Sequence, residues 1–147
     1  MGNEGPAARR VQWFTLAKLR LDGFAGYQAG ETEGFVETQE FVADGAALKV
    51  NADCSRGQLR VEVFEVEGDR VLPAHMFKNT PIGGFTKSDC QPVRGDVFQQ
   101  PVEWSGKAWS DLKGKRVRLC FHLQNATLFS FWTKLDDQIV GIQRVFP

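Results

Sequence analysis

The chain has 147 residues, room for one domain and little more. Lysine plus arginine and aspartate plus glutamate are both 18, and the basic residues show no stripe, so a phosphate backbone is not the expected partner. Twelve Phe, four Trp and 15 Gly against one Tyr and two Met favour strands joined by tight turns over a helical bundle.

Residues 1–10 are polar and read as a lead-in or linker. They lack the apolar core of a signal peptide, so this chain is expected to carry no export signal of its own. An extracellular or periplasmic location would follow only if the domain is part of an exported parent. Residues 11–147 read as a single β-sandwich domain. Val11–Ala17 and Lys18–Leu21 read as one or two strands, closed by Asp22-Gly23. Gly34–Val42 is another strand, closed by Asp44-Gly45.

Ala47–Asp53 alternates, with Leu48, Val50 and Ala52 facing one way and Lys49, Asn51 and Asp53 the other. Ser55-Arg56-Gly57-Gln58 reads as a turn, and Leu59–Val66 alternates again, so the two runs are expected to form a hairpin. Val71–Phe98 holds several Pro and Gly residues and reads as loop with one short strand. Pro101–Trp104 reads as a strand with Val102 and Trp104 inward, and Ser110–Leu112 as one helical turn.

Arg116–Leu123 is the clearest strand. Val117, Leu119, Phe121 and Leu123 form its apolar face, with Arg118, Cys120 and His122 opposite. Asn125-Ala126 is expected to turn the chain into an aromatic last strand, Thr127–Thr133. Short strands at near-regular spacing, with no helical period, indicate an all-β, jelly-roll-like sandwich. No apolar run reaches the length of a membrane span.

An ordered set of short stretches resembles a known family. Among them are Leu19–Phe24, Leu48–Asp53, Gly57–Val63, Gly84-Phe85 with Ser88-Asp89-Cys90, Gly95-Asp96, Val102-Glu103-Trp104, Leu112–Leu123 and Leu128–Phe131. The family is a β-sandwich accessory domain found C-terminal to glycoside-hydrolase-like β-propeller modules in multidomain bacterial proteins. The resemblance implies a jelly roll and a non-catalytic role beside a carbohydrate-active module. No propeller is present here, and Val71–Pro81 is longer than the family's usual connection.

Catalysis would need a nucleophile with a base, or two placed carboxylates. The two histidines, His75 and His122, stand in no nucleophile motif, and no phosphate-binding glycine pattern occurs, so neither an enzyme nor a nucleotide cofactor is expected. Cys54, Cys90 and Cys120 are odd in number and lack a CxxC spacing; they read as reduced thiols, with a Cys54–Cys90 bridge as the alternative. Asp136-Asp137 lacks the spacing of a calcium loop, which leaves a structural calcium held by loop oxygens open.

Sugar binding needs an aromatic platform and directed hydrogen-bonding groups. Two places offer them. One is the polar strand face, with Lys49, Asn51, Arg60, Glu62, Arg118 and His122; its plainer reading is a solvated face with cross-strand ion pairs. The other is the loop edge with Tyr27, Phe77 and Trp109. Trp13, Trp104 and Trp132 read as packed, and Asp22 and Asp96, each beside Gly, as turn residues. The sequence thus leads to a carbohydrate-binding module through Tyr27, Asn51, Glu62, Trp109, Arg118 and His122. The alternative is a docking domain that packs on a neighbouring hydrolase-like module or a second copy of itself.

Overall fold

The computed structural model describes residues 16–66 and 80–133. Within them, seven strands make one antiparallel sheet: β1 Tyr27–Ala29, β2 Gly34–Glu37, β3 Phe41–Val42, β4 Lys49–Glu65, β5 Val93–Pro101, β6 Arg116–Gln124 and β7 Ala126–Trp132. The order is β1-β7-β4-β6-β2, with β3 on β6 and β5 on β4. The sheet bends until it is nearly a barrel, so the fold is all-β, as expected.

The register reveals a simpler path. β4 runs beside β7 from Lys49↔Trp132 to Asp53↔Thr127, then beside β6 from Gln58↔Gln124 to Glu65↔Val117. On the far side, β1 follows β7 while β2 and β3 follow β6. Long bent segments therefore lie side by side, each crossing the same corner.

That corner corrects two expectations. Ser55–Gln58 is not a hairpin turn, because β4 continues through it for 17 residues. Asn125-Ala126 does not turn the chain back either: β6 and β7 are successive halves of one path along the same edge of β4. A Cβ on Gly57 would meet Gln124 O at 1.8 Å and Asn125 O at 2.8 Å. Glycine stands there because two backbones nearly touch. Asn125 absorbs the matching bend at φ 44°. Both turn signals mark one kink at the same level of a paired ribbon.

Other boundaries also move. Lys18–Leu21 forms no strand; it lies across the sheet, anchored by Arg20. Gly34–Val42 splits into β2 and β3 around Thr38, whose N–H donates to Leu119 O at 2.9 Å while its Oγ1 accepts from Leu119 N at 3.0 Å. The short strand expected within Val71–Phe98 is β5, which runs past that region and ends at Pro101, where the next strand was expected to begin. Val102 and Trp104 are buried all the same. The helical turn at Ser110–Leu112 is present as a 3-10 turn, Trp109–Leu112. Asp96 is not a turn residue: it sits in β5 opposite Asp53 and pairs with Arg20. The 1–10 lead-in, Trp13, His75, Phe77 and Asp136-Asp137 lie outside the described residues.

The core fills the concave side of the bent sheet. Leu48, just before β4, and Val50 and Ala52 from its first half meet Leu59, Val61 and Val63 from its second half, and Val117, Leu119, Phe121 and Leu123 from β6. Each large side chain so buried contributes about 1.5–3 kcal/mol. Phe85, Trp104 and Trp109 close the interior: Trp104 lies 5.2 Å from Phe85 and 6.4 Å from Trp109. Their polar edges are satisfied, Trp104 Nε1 donating to Val61 O at 3.0 Å and Trp109 Nε1 to Asp44 O at 2.9 Å. Cys54, Cys90 and Cys120 are all buried and all free, so Cys54 and Cys90 are not bridged.

Candidate functional site

The outer face of β2, β6 and β4 gathers polar side chains by register alone. Phe35 stands opposite His122, which stands opposite Arg60. One rung away, Glu37 faces Cys120, and Cys120 faces Glu62. Alternation turns all six away from the core, because their neighbours Val36, Phe121, Leu119, Val61 and Val63 point inward. The two rungs form one continuous surface, entered from its edge by Glu33 and Lys87.

His122 is the hub. Its Nε2 lies 3.0 Å from Glu62 Oε2 and its Nδ1 3.5 Å from Glu33 Oε1. Lys87 ties both acids down: its Nζ is 2.5 Å from Glu33 Oε1, and its backbone N–H donates to Glu62 Oε1 at 3.0 Å. Arg60 Nη1 in turn donates to Lys87 O at 3.3 Å and Cys90 O at 3.0 Å, which fixes the loop that carries Lys87. Arg118 pairs with Glu37 at 3.5 Å and covers the Phe64 ring at 5.6 Å.

Electrostatics follow from this packing. The Lys87 ammonium holds the Glu33 carboxyl below its ordinary value of 4.5, against a smaller opposing effect of burial. Burial pushes the Cys120 thiol up to about 12, with the carboxylates of Glu37, Glu62 and Glu33 adding to it. The thiol thus holds its proton at neutral pH. Glu33, Glu37 and Glu62 offset Arg60, Lys87 and Arg118, so the face is densely polar without a net charge when His122 is neutral.

The face unites three of the six residues singled out from the sequence: Glu62, Arg118 and His122. Asn51 is not among them. It is fully buried near the opposite end of β4, where its Oδ1 accepts from Arg20 Nε at 2.5 Å and its Nδ2 donates to Leu21 O at 2.9 Å. Arg20 itself lies over the Phe129 ring at 5.0 Å. Asn51 holds the segment that crosses the sheet, so the expected outward polar row is interrupted there. Trp109 is buried in the core, stacked at 6.4 Å on Phe41, and cannot present a face to a ligand. Tyr27 is exposed, but on β1, which pairs with β7 and not with β6.

Phe35, Glu33, Glu37 and Lys87 complete the face and were not singled out. Phe35 is 69% exposed. The signal for it was present in Gly34-Phe35-Val36-Glu37, where an inward Val36 puts Phe35 and Glu37 outside. Two adjacent apolar residues hid that phase. Lys87 arrives from a loop, and no local pattern announces it. Among the described residues, no helix is long and apolar enough to cross a membrane. No protein-family model, curated protein or solved structure matches the chain.

Proposed function

We propose that this chain is a non-catalytic carbohydrate-binding module whose site is the β2–β6–β4 face. The observation that carries the reading is Phe35, a large aromatic side chain 69% exposed and placed directly opposite His122, within a network of donors and acceptors. An aromatic face stacks on the C–H face of a sugar ring, and hydroxyl groups pair with both carboxylates and cations. The balance of charge on the face suits a neutral polyhydroxyl ligand better than an anion. Phe35 is the platform; Lys87, Glu33, Glu37 and His122 are the hydrogen-bonding rim. The family resemblance supports an accessory role next to a glycoside-hydrolase-like module, in which the domain holds the glycan and the neighbour acts on it.

Calorimetric titration with a panel of neutral oligosaccharides tests this reading. Saturable binding is expected to at least one, and Phe35→Ala should weaken it about tenfold, the equivalent of about 1.4 kcal/mol. No binding across the panel by folded protein, or binding unchanged by Phe35→Ala, refutes it.

One observation favours a second reading, docking to a second copy of the chain. Leu16, Leu19, Leu21 and Phe24 are 60–94% exposed in one short stretch. Apolar side chains clustered in this way mark interaction surfaces. Sedimentation of the wild type against Leu19→Asp/Phe24→Asp separates the readings: a dimer that the variant dissociates supports docking, and a monomer throughout removes it.

A further inference from the structure

The Glu62–Cys120–His122 cluster has more order than a hydrogen-bonded surface requires. Each residue offers one ligand atom, and these atoms lie within 4.8 Å of one another. The sheet fixes the arrangement: Cys120 and His122 are two apart on β6, and Glu62 sits directly across from Cys120 on β4. We propose that these three side chains bind a divalent transition ion of borderline softness, of which Zn(II) is the representative.

The donor set supports that class. A thiolate, an imidazole nitrogen and a carboxylate oxygen together suit zinc-like ions better than calcium or magnesium, which take oxygen. Ligand atoms around a tetrahedral zinc are roughly 3.5 Å apart, given Zn–N near 2.0 Å and Zn–S near 2.3 Å. His122 Nε2 and Glu62 Oε2, at 3.0 Å, are already near that spacing, and the Cys120 sulfur, within 4.8 Å of both, is brought to it by side-chain torsions.

The surroundings are the second, independent observation. Ligating histidines commonly give their other ring nitrogen to a carboxylate, and ligating carboxylates are themselves hydrogen-bonded. Here Glu33 lies beside His122 Nδ1, which leaves Nε2 for the ion. The Lys87 N–H occupies Glu62 Oε1, which leaves Oε2. These two atoms hydrogen-bond each other at 3.0 Å, and the ion would replace that bond. On binding, the Cys120 thiol loses its proton to solvent and its sulfur bonds the ion, while the His122 proton shared with Glu62 moves from Nε2 to Nδ1, beside Glu33, so that the Nε2 lone pair faces the ion. Three protein ligands leave a fourth position for water or another donor. His122 and Glu62 keep 16% and 19% side-chain exposure, so the ion can enter from solvent. The proposal does not rest on sugar binding, and either can fail without the other.

The test is titration of the metal-free full chain with Co(II), read by absorption, and with Zn(II) in competition with a chromophoric chelator. One equivalent is expected, with a thiolate-to-cobalt charge-transfer band and visible bands of tetrahedral intensity. Cys120→Ser should abolish the charge-transfer band, His122→Gln should weaken Zn(II) binding at least 100-fold, and Glu33→Gln should weaken it about 10- to 100-fold. Cys54→Ser should leave all of these unchanged. Alkylation mapped by mass spectrometry on the wild type gives a readout without any variant: Zn(II) should slow modification of Cys120 relative to Cys54 and Cys90. Absence of stoichiometric binding, a cobalt spectrum without the thiolate band, affinity unaltered in His122→Gln, or no selective protection of Cys120 overturns the proposal.

Discussion

Gly57→Ala tests the central structural claim, that the corner of the β4/β6–β7 ribbon is a close backbone approach and not a hairpin turn. The added Cβ would lie 1.8 Å from Gln124 O and 2.8 Å from Asn125 Cβ. Real Cβ contacts essentially never fall below 3.0 Å, so the strands must part by 3.0 − 1.8 = 1.2 Å at that level. The obstruction is backbone on one side and a strand interior on the other, and neither can swing away. Overpacking of this kind costs about 1–3 kcal/mol, and loosening the adjoining Gln58/Gln124 pairing adds about 1 kcal/mol. The sum is about 3 kcal/mol, which for a domain of this size lowers Tm by roughly 9 °C. Urea unfolding followed by circular dichroism measures the free energy, and calorimetry measures Tm. Gly83→Ala is the control, since nothing lies within 4 Å of its Cβ; it should leave stability unchanged or raise it by up to about 1 kcal/mol. A Gly57→Ala loss below about 1 kcal/mol, at an unchanged urea slope, would refute the close approach.

The remaining expectations concern buried polar groups. Ser130 Oγ is buried without a hydrogen-bond partner, so Ser130→Ala should raise stability by about 1 kcal/mol in urea unfolding. Arg20→Ala leaves the buried Asn51 Oδ1 without the donor it has here and should cost about 2 kcal/mol; hydrogen exchange should show faster opening at Gly23, whose N–H donates to Arg20 O. Burial pushes the Cys54 and Cys90 thiols up to about 11 and Cys120 to about 12, from an ordinary 9.0. Folded thiols that hold their protons more tightly than unfolded ones contribute stability fully below pH 9, and lose it as pH rises through 11 to 12. The urea midpoint should fall over that window, and a variant with all three cysteines replaced by alanine should show a smaller fall.

Much of the fold was legible in residues 48–66 and 116–132. Clean alternation at Leu59, Val61 and Val63 and at Val117, Leu119, Phe121 and Leu123 fixes which side faces the core, because the strand period is two. The same alternation turned Glu62 and His122 outward, each on its own strand, and they share a face because β4 and β6 pair. It failed at Asn51, where an outward side chain is buried because Arg20 and Leu21 return from 30 residues away to cover it. It failed at Trp109, whose burial depends on contacts with Phe41, Trp104 and Asp44 distant along the chain.

The sequence by itself determined the class, all-β, and the inward and outward phase of the central strands. Those depend on periodicity, which is local. Only the tertiary structure decided what the glycine and asparagine at the corner do. Gly57 and Asn125 satisfy the local chemistry of a turn, but a kink in two paired strands asks for the same tolerance of close approach and of positive φ. Which of the two forms is set by the long-range register of β4 against β6 and β7. That register also places Glu62 across from Cys120 and Phe35 across from His122. The pairing that makes the candidate site is a property of strands separated by dozens of residues, and no local pattern contains it.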